Sequence, residues 1–169
     1  VSPAQQTQLG DSLVLPATGS GLVSWVKGSN VNGFRNRTVL LGDVINSSLE
    51  RVAPTDTLAS SLTGDTSYTT YIASKTAMTS SLLVNGNDGL FHVIDADTGA
   101  HRYGYLASTL FPSLKIVAAT DYATSKNHRF MADGPITVAD AQLGTNWTTL
   151  AVAGLGAGGK SMFAVKLFD

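Results

Sequence analysis

The chain has 169 residues, of which 43% are hydrophobic and 14% are charged, and its formal net charge is -1 at pH 7. This composition excludes a disordered chain, and the nearly neutral charge argues against a nucleic-acid partner. No run approaches the roughly 18 apolar residues of a membrane-spanning helix, so no membrane span is expected. The absence of cysteine excludes disulfides and thiolate metal sites.

The first part of the chain, residues 1–37, is predicted to form a partly helical lead-in. A proline near the start of "SPAQQTQLG" and a glycine at its end are typical of a short helix. In "SGLVSWVKGSN" three apolar residues share one side, and Gly28 marks the end of a second helix. Trp25 is interpreted as a packing anchor rather than a ligand platform. Because the chain begins at Val1 without Met, we expect a processed protein or a piece of a longer one.

The next part is predicted to contain a strand and then an insertion. The segment "TVLLGDVINSS" (38–48) is apolar and β-branched, which favours a strand with a break at Gly42. Residues 53–80 are rich in Thr and Ser and form an insertion between strands. A short helix is expected inside the insertion because Asp65 suits its N-cap. Three side chains share one face of that helix: Tyr68, Ile72 and Lys75.

Two antiparallel meanders follow. In residues 81–106 strands alternate with the turns "NGNDG" and "DADTG", and Asp-Gly between alternating apolar runs is a strong hairpin signal. A connection over 107–134 leads to a second meander, 135–169, whose strands are "ITVADA", "WTTLAVAG" and "KSMFAVKLF". Glycine-containing turns separate these three strands.

The repeated rhythm predicts an all-β fold, a partial β-propeller of about two four-stranded antiparallel blades. The first blade (38–106) gains its fourth strand if 38–47 belongs to it, and the second blade (135–169) has three strands and is incomplete. Propellers typically have at least about four blades. We therefore expect a fragment, or a chain completed by the remaining blades or by another polypeptide.

The meander "LLVNGNDGLFHVIDADTGAHRYGYL" resembles the blade repeat of quinoprotein-type propellers. Together with "FRNRTVLLGDVINSS" and the whole of 128–169, it resembles the PilY/PilC family of type IV pilus biogenesis and tip-adhesin proteins. The resemblance covers residues 20–50 and 81–169. It implies a non-enzymatic structural and adhesion component, a propeller fragment of a longer protein that reaches the cell surface or pilus by way of the periplasm.

The same resemblance implies pilin or minor pilin subunits as partners, together with a host or abiotic surface. The family's Asp-rich calcium loop and an RGD triplet have no counterpart here, so calcium control and integrin-type binding are not carried over. Two alternatives stay open. One is a quinone-dependent dehydrogenase-like propeller, because such enzymes share these turns, and the other is a generic β-rich binding module.

The segment Gly154–Ser161, "GLGAGGKS", matches the phosphate-loop pattern G-x-x-x-x-G-K-[ST]. A working phosphate loop needs a helix after it, because the helix N-terminus and its N–H groups hold the phosphates. Here the following residues, "MFAVKLFD", favour a strand. We therefore expect a glycine-rich hairpin turn, with Lys160 a turn or edge-strand cation rather than a phosphate anchor.

Other chemistry-bearing residues also have a structural interpretation. Asp88, Asp95 and Asp97 occupy two turns but lack the ligand spacing of an EF-hand, so Asx-turns are expected. Three histidines, His92, His101 and His128, lack metal-ligand spacing and are expected to pack across strands or in loops. No G-x-S-x-G elbow is present. We predict no catalytic, cofactor-binding or metal-ligating residue.

Two smaller features of the sequence are the glycosylation-like triplets and a pair of arginines. Three triplets match the glycosylation pattern, at Asn36, Asn46 and Asn146, and are expected to be unmodified in a bacterial protein. Arg35 and Arg37 lie near Asp43 in the chain. One arginine is a candidate for an ion pair with an aspartate, although a solvated pair explains them equally well.

Overall fold

Two antiparallel sheets form the centre of the computed structural model, which describes residues 1–59, 65–125 and 128–169. The first sheet has four strands in chain order: β1 (Glu50–Val52), β2 (Ser81–Asn85), β3 (Leu90–Asp95) and β4 (His101–Leu106). The second has three: β5 (Ile136–Leu143), β6 (Asn146–Gly154) and β7 (Met162–Phe168). The predicted pair of antiparallel meanders, one of four strands and one of three, is confirmed.

The strand predicted over 38–48 is wrong. These residues, called the strap below, have no sheet pairing, and the fourth strand of the first sheet is instead β1, where Val52 lies opposite Ser81 of β2. The strap bonds outside the sheet ladders instead: the Asn87 amide donates to the Asp43 carbonyl, and the amides of Gly42 and Asn46 donate to the carboxylates of Asp88 and Asp133. A β-branched run favours extended backbone but does not specify a partner strand.

Short helices surround the sheets: α1 (Pro3–Gly10), α2 (Gly19–Val26), α3 (Thr66–Ser74), α4 (Phe111–Ala118) and α5 (Tyr122–Ser125). The two lead-in helices begin at Ser2 and Thr18, whose hydroxyls accept from the first turn. The predicted cap of α3 is confirmed, because the Asp65 carboxylate accepts from the Ser67 amide. The helix α4 lies in the connection over 107–134, for which no helix was predicted.

The fold has two hydrophobic cores. The first lies between the sheets, where Leu83, Phe91 and Val93 of the first sheet pack against Ala151 and Ala153 of the second. The second core joins the lead-in helices to α4. Its largest side chain is Trp25, which is 1% exposed and donates its indole N–H to the Arg35 carbonyl at 2.7 Å, so the packing role expected for this tryptophan is confirmed.

A buried ion pair ties the insertion to the second sheet. Lys75, just after α3, lies 3.0 Å from the carboxylate of Asp140 on β5, and both side chains are fully buried. The same carboxylate accepts from the hydroxyls of Tyr68 at 2.8 Å and Thr149 at 2.5 Å. Burial opposes ionisation of Asp140, but the bonds from Thr149, Tyr68 and Lys75 outweigh it and lower the pKa of this carboxyl.

The division into a lead-in over 1–37 and blades over 38–169 stays a prediction. Parts of the predicted insertion (60–64) and connection (126–127) lie outside the described residues. Among the helices that the structure describes, none is both long and apolar enough to cross a bilayer.

Candidate functional site

The glycine-rich loop joins β6 to β7, and a strand rather than a helix follows it. A Cβ on Gly158 would lie 1.7 Å from the Met131 carbonyl oxygen, and Gly156, with a φ of 57°, lies against the backbone of Gly134. The glycines therefore allow close backbone contact. Because β7 rather than an α-helix follows the loop, no helix N-terminus is available there to hold a phosphate.

We expect ATP with Mg²⁺ to leave the melting temperature of the protein unchanged, because a nucleotide stabilises only a fold that binds it. Differential scanning fluorimetry over a range of ATP concentrations is the measurement, with Mg²⁺ alone as the control. A saturable upward shift that requires ATP would contradict the structural interpretation of the loop.

Three hydrogen-bonded side chains lie on the first sheet, on the face opposite the core between the two sheets. The Nε2 atom of His92 is 3.0 Å from Oδ2 of Asp88, and its Nδ1 atom is 3.1 Å from Nε2 of His101. The hairpin between β2 and β3 supplies Asp88 in its turn and His92 on β3, and the next strand supplies His101. We call this arrangement the Asp–His–His relay. The sequence placed these residues in separate turns and strands, and the structure brings them together.

The carboxylate of Asp88 is held in its ionised form. Burial opposes ionisation, but the hydrogen bond and charge of His92 and the amides of Leu90 and Gly42 lower its pKa. The pKa of His101 is also lowered, first by burial and then by the neighbouring His92. Ionised Asp88 accepts hydrogen bonds only, so Nε2 of His92 carries a proton and donates.

The relay lies along an apolar cavity of about 830 Å³, a volume within the usual range of small-molecule sites. The cavity floor consists of cross-strand pairs on β3 and β4, and α1, α2, α4 and the strap form its walls. His92 on the floor lies opposite Gly104, which has no side chain to fill the space. Six apolar residues line much of it: Leu9, Val23, Leu40, Leu90, Ile94 and Phe111.

Other predicted candidates lie outside the relay. Asp95 accepts from the amides of Asp97 and Thr98, so the expected Asx-turn is confirmed there. His128 lies 2.9 Å from Asp43 on the protein surface. Within residues 1–59, 65–125 and 128–169 no three His, Cys, Asp or Glu side chains are arranged to hold a metal ion. In the relay, the two imidazoles bond to each other rather than point at a common position.

The two arginines stack on aromatic rings. The guanidinium of Arg37 lies 3.7 Å from the ring centroid of Trp25, and that of Arg35 lies 5.5 Å from the same ring and 5.2 Å from Tyr122. In the described part of the chain, neither arginine forms an ion pair with Asp43, which bonds to His128 instead. Cation–π contact therefore explains the arginines better than the hypothesised pair. The three Asn of the glycosylation triplets are exposed.

We expect Asp88→Asn to destabilise the fold by about 1–3 kcal/mol at pH 7, because the strap amide and His92 lose an ionised acceptor. Since the folded pKa of Asp88 is lowered, its contribution is present above its unfolded value of about 3.9 and is lost as the pH falls towards its folded value. The stability difference between wild type and variant should therefore shrink below about pH 4. Urea unfolding at pH 7 and pH 3 measures it.

The matched control is Asp97→Asn, because Asp97 lies in an exposed turn of the same sheet. We expect it to change stability by less than about 0.5 kcal/mol at either pH. An equal penalty for the two variants at pH 7, or an Asp88→Asn penalty that grows in acid, would contradict the structural role of the relay.

The alternation of β3 was the signal from which the relay could have been found. It predicts Leu90, His92 and Ile94 on one face, and a two-residue step past the Asp-Gly turn brings Asp88 to that same side. Finding His101 required the register, which shifts between Val93 and Ile94 and sets Ile94 opposite His101. A bulge of this kind is not readable from residue types alone.

Comparison of the chain with known proteins identifies a β-propeller family, which agrees with the two antiparallel sheets. Residues 41–169 match the family model described as the PilY1 beta-propeller domain. The type IV pilus biogenesis factor PilY1 of Pseudomonas aeruginosa PAO1 is 32% identical over 163 residues, covering 92% of this chain and 14% of that protein. A PilY1 homolog of Xylella fastidiosa is 32% identical over 166 residues, covering 89% of this chain and 11% of that protein.

A crystal structure of the Pseudomonas aeruginosa PilY1 C-terminal domain is also similar. It is 27% identical with a TM-score of 0.48, and the match covers 67% of this chain and 22% of that one. The chain thus spans about one seventh or less of the length of the curated relatives it matches. The family model covers well over half of the chain, which belongs to the PilY1 beta-propeller domain family.

Proposed function

We propose that this chain is a non-enzymatic propeller segment of a type IV pilus tip or of its assembly machinery, and that it supports pilus assembly and surface attachment. The family match over residues 41–169 carries the proposal, and the relatives' role in pilus biogenesis supplies the process. The segment then lies on the cell surface or pilus, reached through the periplasm. Its partners are pilin or minor pilin subunits and a host or abiotic surface.

We also propose that the second sheet is completed by a strand from the rest of the propeller or from another chain. Among the described residues β7 pairs only with β6 and so leaves one edge open, whereas the first sheet has four strands. An open edge presents unpaired N–H and C=O groups that a further strand can take up. The division of the chain into a lead-in (1–37) and blades (38–169) belongs to the same proposal.

An in-frame deletion of these residues from the parent gene tests the pilus role. We expect fewer pili in sheared surface fractions and weaker attachment, both restored by the intact gene. Immunoblotting of the remaining parent protein separates loss of this segment from loss of the whole protein. Normal piliation and attachment with the shortened protein present would contradict the proposal.

Amide hydrogen exchange tests the open edge. Edge amides of β7 should exchange more slowly in the parent protein than in the 169-residue chain, because a paired amide is protected. Amides of β6, which are paired within this chain, serve as the internal control. Equal exchange along β7 in both proteins would contradict completion by a further strand.

The proposal of no enzymatic activity is tested separately. Purified protein mixed with a pyrroloquinoline-type quinone, Ca²⁺ and small alcohols should not reduce a redox dye above the rate of the same mixture without protein. Sustained dye reduction that depends on the protein would favour the quinone-dependent alternative.

A further inference from the structure

The relay ends at His101, which lines the apolar cavity. His92 is 6% exposed, whereas His101 is exposed and contributes to the cavity lining beside Gly99. Nε2 of His101 bonds to His92, and its other nitrogen, Nδ1, has no hydrogen bond to the described part of the chain. His101 therefore brings a ring nitrogen without a partner in the described chain to a cavity whose lining is mostly apolar.

We propose that this cavity binds an amphiphile, with a linear apolar chain along β3 and a hydroxyl head group against Nδ1 of His101. The inference is independent of the pilus role, because it rests on the cavity and the relay alone. It assigns a ligand class to residues for which the family match supplies no role.

The direction of the hydrogen bonds selects the hydroxyl. Because ionised Asp88 only accepts, Nε2 of His92 donates to it. In the neutral relay Nδ1 of His92 then accepts from Nε2 of His101, which leaves Nδ1 of His101 as an acceptor. If the relay gains one proton at Nδ1 of His101, that nitrogen becomes a donor, while the bonds from His101 to His92 and from His92 to Asp88 keep their directions. A hydroxyl both donates and accepts, so it satisfies the relay in both protonation states.

The shape of the cavity selects the linear chain. Leu90, His92 and Ile94 share one face of β3, and the path from the first to the last is about 13 Å at the usual strand rise. Leu90 and Ile94 both line the cavity, and His101 lies opposite Ile94 at one end of this path. Space in the middle depends on Gly104, where a Cβ would lie 3.2 Å from a methyl carbon of Leu90.

A neutral probe avoids the other charges at the cavity. Its lining also holds Lys27 just after α2, the Tyr105 hydroxyl on β4 and Val1 at the N-terminus, any of which could attract an anionic ligand. The probes are therefore 1-octanol and its methyl ether 1-methoxyoctane, which share one chain. The ether only accepts hydrogen bonds, so it cannot bond to the neutral relay.

Isothermal titration calorimetry at pH 8 tests the proposal on the 169-residue chain. We expect saturable 1-octanol binding at one site and about five-fold weaker binding of the ether, as one lost hydrogen bond gives. The difference between the two affinities should narrow in acid, once His101 gains a proton and its Nδ1 can donate to the ether. Gly104→Leu should weaken 1-octanol binding about ten-fold or more by filling the cavity, and His101→Phe should abolish the preference for the alcohol.

The control is Ala164→Leu, which introduces the same leucine side chain at an exposed position of β7 away from the cavity. It should bind 1-octanol as wild type does. If Gly104→Leu does not fold, His101→Phe, which alters an exposed residue, still decides the question. Absence of saturable binding, equal binding of alcohol and ether at pH 8, or an alcohol preference that survives His101→Phe would overturn the proposal.

Discussion

Lys75→Met should destabilise the protein by about 3–5 kcal/mol, because it leaves the Asp140 carboxylate buried without its cation. The two charged groups are 3.0 Å apart and fully buried, and the Lys75 ammonium also donates to the Asp56 carbonyl at 2.8 Å. Removing the cation leaves Tyr68 and Thr149 as the side-chain donors to the carboxylate. Guanidinium unfolding followed by circular dichroism measures the loss.

Two variants make this test specific. Lys166→Met removes a lysine from an exposed pair with Asp169 and should change stability by less than about 0.5 kcal/mol. The double variant Lys75→Met/Asp140→Leu removes both charges and should recover part of the loss, because an unpaired buried charge costs more than an apolar pair. A Lys75→Met penalty no larger than that of Lys166→Met would contradict the structural role of the ion pair.

Gly158→Ala should destabilise the protein by about 2 kcal/mol or more, because its methyl group would overlap the carbonyl oxygen of Met131. A Cβ at this position would lie only 1.7 Å from that oxygen, and the obstacle is backbone rather than a flexible side chain. The loop must therefore separate from residues 131–134 or distort. Chemical unfolding measures the effect, and the melting temperature should fall in parallel.

Gly154→Ala is the matched control, because it alters the first glycine of the same phosphate-loop pattern. Its Cβ would meet nothing closer than 3.9 Å, so we expect a change of less than about 1 kcal/mol. If the loop bound phosphates instead, both substitutions would affect nucleotide binding rather than stability. Equal stability of the two variants would contradict the packing explanation.

The insertion shows where sequence reasoning reached its limit. Local spacing predicts Asp65 as the helix cap and places Tyr68 and Lys75 on one face. Tyr68 and Lys75 are both buried. Their common partner, Asp140, lies 65 residues beyond Lys75, so no local pattern points to it. The insertion therefore looked like a connection between strands, whereas the structure makes it part of the attachment of the second sheet.

The strap illustrates the opposite case. Its β-branched residues predict a strand, but the structure leaves several of its large apolar side chains exposed, Val39 at 71% and Ile45 at 53%. Carboxylates of Asp88 and Asp133 hold its backbone, so it has partners without pairing in a sheet. Propensity describes the local backbone, whereas distant residues decide whether an extended segment pairs in a sheet or bonds to other groups.

The sequence by itself determined strands β2 to β7 with the turns between them, the N-cap of α3 and the strand that follows the glycine loop. It could do so because period-two alternation and turn chemistry act over a few residues. The family resemblance also followed from local blocks of sequence. Only the tertiary structure decided the Asp–His–His relay, the buried Lys75–Asp140 pair and the cavity between the helices and the first sheet. The relay depends on the register of β3 and β4, and the ion pair joins residues that are 65 positions apart in the chain. Local sequence patterns encode neither.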